Sequence, residues 1–171
     1  LLERHRVTVF CAAATELRRL ILEDVRGRDL SALRLTVSAG ESVNPEVVKQ
    51  WQSLTGGLLL DGYGQTETLM TVLNYPVMTV KPGSMGRPLP GTRVAVIHEG
   101  KGFASTGEAG TLAIKLPNPQ VMLGYWQAPE QTQSVHLELG GEQWFLTGDT
   151  VKMDEDGYLF LTGRSAELII S

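Results

Sequence analysis

The sequence Asp61-Gly62-Tyr63-Gly64-Gln65-Thr66-Glu67-Thr68 (DGYGQTET) decides how the fold of this 171-residue chain is interpreted. It follows the apolar residues 57–60, which predict a short buried strand that ends before the two glycines. Buried parallel strands present ligand-binding groups at their carboxyl ends. We therefore expect a ligand site where this strand ends.

The residue types in this stretch suit a nucleotide with a bound metal ion. The ring of Tyr63 can stack on a base, the hydroxyl of Thr66 can bond a phosphate oxygen, and the carboxylate of Glu67 can hold Mg²⁺. Gly62 and Gly64 let the backbone approach a ligand closely. Taken alone, the same residues are also typical of a simple turn, so both interpretations stay open at this point.

The elements before this stretch alternate between strand and helix. A helix capped by Thr15 is predicted to continue to about Asp24, and another is predicted to begin at Pro45, capped by Asn44, and to end at Gly56. Strands are predicted at residues 7–13, 33–38 and 57–60. This order predicts a parallel β-α-β sheet segment with covering helices over residues 1–78.

The second half of the chain has many short strand-like runs separated by Gly and Pro. The predicted strands are 93–97, 110–116, 121–125, 143–146, 149–153 and 158–162. A short helix is predicted from Pro129 to about Leu139. Over residues 79–171 the pattern predicts an antiparallel β-barrel-like subdomain, so the fold class is α/β with a barrel-like second part.

Composition excludes several classes of protein. Fifteen basic and nineteen acidic residues give a formal net charge of −4, which argues against a nucleic-acid partner. The single cysteine, Cys11, excludes an internal disulfide and is interpreted as a small buried thiol, and Trp126 and Trp144 are interpreted as packed rings. Because no run is long enough for a membrane segment, we expect a cytoplasmic protein, with organellar targeting upstream left open.

Three motifs together resemble one family. YGQTE at 63–67, TGD at 147–149 and GR at 163–164 are similar, in order and spacing, to signatures of the adenylate-forming superfamily: acyl-CoA synthetases, peptide-synthetase adenylation domains and luciferases. The sequences GES at 40–42 and GQTET at 64–68 most resemble the acetyl- and medium-chain acyl-CoA synthetases. The resemblance covers nearly the whole chain and implies the large N-terminal domain of an ATP-dependent, AMP-forming acid–thiol ligase of fatty acid metabolism.

The resemblance also implies a role for individual residues. The implied ATP- or AMP-binding residues are Gly40, Glu41, Ser42, Asp61, Gly62, Tyr63, Gly64, Gln65, Thr66, Asp149 and Arg164. Among them, Asp61 accepts from the adenine amino group and Asp149 accepts from both ribose hydroxyls. The implied catalytic residues are Thr66, Glu67 and Arg164, with Glu67 as the Mg²⁺ ligand. Gly62, Leu69 and Met70 are implied to line the pocket for the carboxylic acid. Alone, Asp149 would be more typical of a turn and Arg164 of a solvated surface.

The chain departs from the family pattern in three respects. The phosphate loop is expected upstream of Leu1, and the small domain with the catalytic lysine is expected beyond Ser171. Ala166 stands in the hinge motif where the family usually has Asp or Lys. We therefore expect a fragment that is inactive by itself, from an enzyme that transfers the acyl group to coenzyme A. Two alternatives stay open: an adenylation domain that loads a carrier protein, and a non-catalytic nucleotide-binding or structural module.

Overall fold

A computed structural model describes residues 1–40, 43–98, 100 and 102–164. The chain forms two compact units, Leu1–Tyr63 with Leu73–Gly86, and Gly64–Val72 with the chain from Arg87 onward. The units thus interleave along the sequence, whereas the predicted division into 1–78 and 79–171 has a single boundary and stays a prediction. Glu41, Ser42 and Ala166 lie outside the described residues.

The first unit is built on parallel strands joined by helices, as predicted. Its elements are β1 (Val9–Cys11), α1 (Ala14–Leu20), β2 (Leu35–Ala39), α2 (Pro45–Thr55) and the first part of β3 (Leu58–Gln65). Strand β1 pairs in parallel with β2, and β2 with β3. Leu17, Trp51 and Leu59 belong to one buried apolar cluster, so both helices cover the sheet with their apolar faces.

The ends of the two helices follow local side-chain chemistry. Helix α2 has the predicted cap, because the Asn44 side chain accepts from the backbone amide of Glu46 at 2.8 Å. Helix α1 begins at Ala14 with Ala13 at the N-cap position, so the predicted cap, Thr15, lies inside the helix. It also ends at Leu20, short of Asp24, whose carboxylate accepts from the backbone amide of Arg26 at 3.0 Å and so favours a turn.

Strand β3 does not end before the glycines, which corrects the prediction. It continues through Gln65 and reaches β4 (Leu69–Leu73) after a three-residue turn. A Cβ atom at Gly64 would lie 2.1 Å from the carbonyl oxygen of Leu69, so only glycine allows the two strands to approach this closely. The sheet has the strand order β1-β2-β3-β4-β5, with β5 at Arg87–Pro88.

The second unit contains a nearly closed, barrel-like antiparallel sheet, which confirms the predicted fold class. The strand order is β11-β10-β8-β6-β7, and β9 also pairs with β10. The elements are β6 (Val94–His98), β7 (Gly102–Phe103), β8 (Ala109–Lys115), α3 (Pro129–Ser134), β9 (His136–Leu139), β10 (Glu142–Met153) and β11 (Leu159–Arg164). Phe145 and Ile114 pack together in one of its buried clusters.

Several details of this unit differ from the prediction. Residues 121–125 form a loop instead of a strand, and the helix that begins at Pro129 ends at Ser134. Residues His136–Leu139 alternate in exposure and pair with β10, which is the periodicity of a strand. The two strands predicted at 143–146 and 149–153 are one long strand, β10.

Two expectations about packing were wrong. Trp126 is 88% exposed and is not a packed ring, whereas Trp144 is buried as expected. Cys11 is exposed, and it lies on β1, which pairs only with β2 among the described strands. No helix in the described part of the chain has the length and apolar character needed to cross a membrane.

Candidate nucleotide site

The tip of the hairpin between β3 and β4 carries Thr66 and Glu67. Thr68 closes the turn, since its hydroxyl accepts from the amide of Gln65 at 3.1 Å and donates to the carbonyl of Leu69 at 3.0 Å. Thr68 is fully buried, whereas Thr66 is exposed and Glu67 is half-buried. The turn therefore presents a hydroxyl and a carboxylate toward the outside of the hairpin.

Glu67 is held by the loop at residues 118–125. The hydroxyl of Tyr125 donates to Oε1 of Glu67 at 3.1 Å, and the amide of Met122 donates to the Glu67 carbonyl at 2.7 Å. Burial raises the pKa of the Tyr125 hydroxyl, and the neighbouring Glu67 raises it further. Tyr125 therefore stays protonated at neutral pH and acts as a donor. From sequence, Tyr125 was interpreted as structural and was given no binding or catalytic role.

The carboxylate of Asp149 lies between two other residues that the sequence analysis named. The side-chain amide of Gln65 donates to Oδ2 of Asp149 at 2.5 Å, and Nε of Arg164 lies 3.4 Å from Oδ1. The Asp149 side chain is 10% exposed and that of Arg164 is 58% exposed. Gln65 also donates to the carbonyl of Thr147 at 3.0 Å, so the hairpin is fixed against the first residue of the TGD motif as well.

A bulge in β10 places Asp149 in this position. The pairing of β10 with β8 shifts register between Leu146 and Thr150, so residues 147–149 leave the ladder. Gly148 has a φ of 75°, which glycine adopts without strain. The hydroxyl of Thr147 donates to the carbonyl of Leu112 at 2.9 Å and accepts from the amide of Asp149 at 3.2 Å. The TGD motif thus forms a bulge in β10 that changes the direction of the Asp149 carboxylate.

A cavity of about 810 Å³ lies within the second unit, next to these residues. Its polar wall includes Gln65, Glu67, Tyr125 and Arg164, and the backbone of Gly148 also lines it. Apolar side chains of β6, β9 and β10 also line the cavity. A volume of this size is in the range of small-molecule sites, and a few polar groups on an apolar wall are typical of them.

In the first unit, Asp61 is a buried carboxylate with backbone donors on both oxygens. Oδ2 accepts from the amide of Val43 at 3.2 Å and Oδ1 accepts from the amide of Gly62 at 2.9 Å. Burial raises the pKa of the Asp61 carboxyl to about 6, although the two hydrogen bonds oppose the shift. Ser38 is opposite Asp61 in the strand register, and its buried hydroxyl has no partner among the described residues. Such an orphaned group is a place where water or a ligand can bind.

The other predicted residues of this unit lie near the ends of β2 and β3. Gly62 pairs with Ala39, and Gly40 follows with a φ of 89°. Tyr63 is 8% exposed, so most of its ring is buried. Asp61, Gly62 and Gly40 are therefore brought together at one edge of the parallel strands.

Leu69 and Met70, the predicted pocket residues, begin β4. Leu69 is 61% exposed and has a φ of 53°, a conformation that is uncommon for a residue with a side chain. Met70 is half-buried, and its carbonyl accepts from the Gln120 side chain at 2.9 Å.

The structure thus gathers the named residues into two sets. Gln65, Asp149 and Arg164 are in contact in the second unit, where Thr66 and Glu67 lie on the same hairpin as Gln65. The adenine residues Asp61 and Tyr63 belong to the first unit. That both sets bind one nucleotide stays a prediction.

Comparison with known proteins identifies relatives of the whole chain. It is 40% identical over 172 residues to an uncharacterised acyl-CoA ligase, YtcI, of Bacillus subtilis, covering 100% of this chain and 32% of that protein. It is also 40% identical to the mitochondrial acyl-coenzyme A synthetase ACSM3 of Rattus norvegicus, covering 99% and 29%. The chain therefore spans about a third of the length of the curated relatives that it matches.

Comparison with solved structures also finds CoA ligases that are similar over nearly the whole chain. The fold is similar to that of ATP-bound MatB from Rhodopseudomonas palustris, with a TM-score of 0.87, 32% identity, and coverage of 97% of this chain and 32% of that one. An anthranilate CoA ligase in complex with anthranoyl-AMP matches with a TM-score of 0.85 and 31% identity, covering 96% and 31%. The family model described as AMP-binding enzyme matches residues 1–126. The chain therefore belongs to the AMP-binding enzyme family.

Proposed function

We propose that this chain is part of a longer ATP-dependent ligase that activates a carboxylic acid as acyl-AMP and transfers the acyl group to coenzyme A. The observation that carries the proposal is the Asp149 carboxylate, which is largely buried and has Gln65 and Arg164 beside it. An aspartate in a surface turn is usually exposed, whereas this carboxylate is buried on a strand bulge. A carboxylate held in this way is suited to accept hydrogen bonds from two adjacent hydroxyl groups. The names of the relatives, which are acyl-CoA ligases and synthetases, support the same reaction.

In the first step, a carboxylate oxygen of the acid attacks the α-phosphorus of ATP, and the bond to the bridging oxygen of pyrophosphate breaks. Asp149 accepts from the two ribose hydroxyls, and Asp61 accepts from the adenine amino group. Thr66 donates to a phosphate oxygen. Arg164, whose side chain is 58% exposed beside Asp149, reaches the ribose and the phosphate side. Holding both anions in line supplies much of the rate enhancement for such a reaction.

The residues present fit a magnesium site of the kind that Mg·ATP enzymes use. Mg²⁺ usually takes one or two protein carboxylates and completes its shell with phosphate oxygens and water. Glu67 is a half-buried carboxylate at the hairpin tip, and the described residues contain no group of three or more His, Cys, Asp or Glu side chains placed as an all-protein metal site. Glu67 would hold the ion, which would supply neutralisation of phosphate charge.

In the second step, the sulfur of coenzyme A attacks the acyl carbonyl carbon, AMP leaves, and the thiol proton is released. Gly62, Leu69 and Met70 line the pocket for the acid in this proposal. Related proteins are named for 4-hydroxybutyrate, anthranilate and benzoate, so the family's acids range from aliphatic to aromatic. We place the reaction in fatty acid metabolism and in the cytoplasm, and cell fractionation tests the location because several relatives are named mitochondrial.

The test is pyrophosphate exchange by the full-length protein, which measures the first step alone. Labelled pyrophosphate should enter ATP only when a carboxylic acid is present, across a panel of aliphatic, aromatic and amino acids. Adding coenzyme A should then convert the accepted acid to a thioester. Exchange driven only by amino acids, with no thioester of coenzyme A, would favour a carrier protein as acceptor. No exchange with any acid would refute the ligase and leave a non-catalytic module.

A further inference from the structure

One short loop holds Glu67 by two separate contacts. We call residues 118–125 the brace loop. Within it, the amide of Met122 donates to the Glu67 carbonyl at 2.7 Å and the hydroxyl of Tyr125 donates to the Glu67 carboxylate at 3.1 Å. The main chain and the side chain of Glu67 are thus fixed from the same segment.

The brace loop is itself attached at both ends. Near its start, the Gln120 side chain donates to the carbonyl of Met70 on β4 at 2.9 Å. At its end, the amide of Tyr125 donates to the hydroxyl of Thr132 in α3 at 2.9 Å, and that hydroxyl donates to the carbonyl of Ala128 at 3.0 Å. The position of the Tyr125 hydroxyl is therefore set by α3 and by β4, not by Glu67 alone.

We propose that Tyr125 is a positioning residue that orients the Glu67 carboxylate for a divalent cation bound with the nucleotide. The proposal deepens the proposed function and rests on Glu67 being the metal ligand. Tyr125 contacts Oε1, and Oε2 has no hydrogen bond from the residues that the structure describes, so Oε2 can meet the cation. A neutral donor also fixes the carboxylate without cancelling its charge. A lysine or arginine at the same place would cancel that charge.

The size of the effect follows from the behaviour of groups that hold metal ligands. Removing such a partner typically weakens metal affinity about 10- to 100-fold, because the ligand must then be ordered when the metal binds. Glu67 is only half-buried, so water can replace part of the lost bond, and we expect the lower end of this range. Tyr125→Phe keeps the ring in place and deletes only the hydroxyl.

The experiment measures Mn²⁺ affinity by electron paramagnetic resonance, with the full-length protein and a non-hydrolysable ATP analogue. Tyr125→Phe should weaken Mn²⁺ binding about tenfold while changing metal-free binding of the analogue less than about twofold. The matched control is Tyr158→Phe, which deletes a tyrosine hydroxyl elsewhere in the same unit and should leave Mn²⁺ affinity unchanged. In a Glu67→Gln background, Tyr125→Phe should have no further effect, since it acts through the carboxylate.

Two results would overturn the proposal. One is unchanged Mn²⁺ affinity in Tyr125→Phe, and the other is an equal, additive loss in the Glu67→Gln background. Should Tyr125→Phe fail to fold, Thr132→Val keeps both Tyr125 and Glu67 but frees the backbone of Tyr125, and it should weaken Mn²⁺ binding in the same direction. Loss of Mn²⁺ affinity without any acid-dependent exchange in the wild type would refute the ligase and keep the role of Tyr125. Exchange in the wild type together with normal Mn²⁺ affinity in the variant would support the ligase and refute the role of Tyr125.

Discussion

The buried carboxylate of Asp61 makes the stability of the first unit depend on pH in an unusual direction. The pKa of Asp61 is raised from 3.8 to about 6, chiefly by burial. Between these two values the folded state binds more protons at Asp61 than the unfolded state does. Stability therefore falls as pH rises through this window, which is the opposite of the usual effect of a paired carboxylate.

The magnitude follows from the difference between the two pKa values. A shift of about two units, at about 1.4 kcal/mol per unit, corresponds to about 3 kcal/mol lost between the fully protonated and the fully ionised carboxyl. Most of this, about 2 kcal/mol, falls between pH 4 and pH 7. Asp61→Asn cannot ionise, so the stability of the variant relative to the wild type should rise by about 2 kcal/mol over that range. Loss of one acceptor for the amides of Val43 and Gly62 adds an offset that does not depend on pH.

The assay is urea denaturation of both proteins at several pH values, with the tryptophans labelled with fluorine for nuclear magnetic resonance. The signal of Trp51 reports the unit that contains Asp61, because Trp51 is buried there. Asp24→Asn is the control: Asp24 is exposed and its pKa is lowered by hydrogen bonds from Arg26, so its difference should run in the other direction. Parallel stability curves for wild type and Asp61→Asn would refute the burial argument.

Three further predictions concern the full-length protein. Asp149→Ala should weaken ATP binding with little loss of stability, about 1 kcal/mol, because the amide of Gln65 keeps its bond to Thr147; calorimetry and thermal melts measure both, and unchanged ATP affinity would reject the ribose role. Tyr63→Ala should weaken ATP binding by about 1–3 kcal/mol and also cost about 3–5 kcal/mol of stability, since the ring is mostly buried. The control is Tyr63→Phe, which keeps the ring and should bind ATP normally. A folded Tyr63→Ala variant with normal ATP affinity would exclude stacking. Met70→Gly should shift acid preference in the exchange assay toward bulkier acids, by about 1–3 kcal/mol per methylene; an unaltered profile would move the pocket elsewhere.

Sequence patterns were sufficient for much of the first unit because its determinants are local. Asn44 followed by Pro45 specifies the start of α2, and Gly56 its end, through hydrogen bonds and backbone angles that involve only neighbouring residues. The apolar run at 57–60 likewise predicts the start of β3, in which Leu59 and Leu60 are buried. The family motifs indicated the function class, since YGQTE, TGD and GR occur in a fixed order.

Other features depend on partners distant in sequence, and only the tertiary structure decided them. Gly64 looks like a turn residue, yet it lies in strand β3. Glycine is required at this position because the carbonyl of Leu69 leaves no space for a Cβ atom. The sequence determined which carboxylates, amides and hydroxyls the chain possesses. The contact of Gln65 with Asp149, 84 residues apart, and that of Glu67 with Tyr125, 58 residues apart, arise because a bulge in β10 and an irregular loop aim those side chains at the hairpin. Neither bulge nor loop has a periodicity that sequence can reveal, because each is set by where the strand ladder breaks.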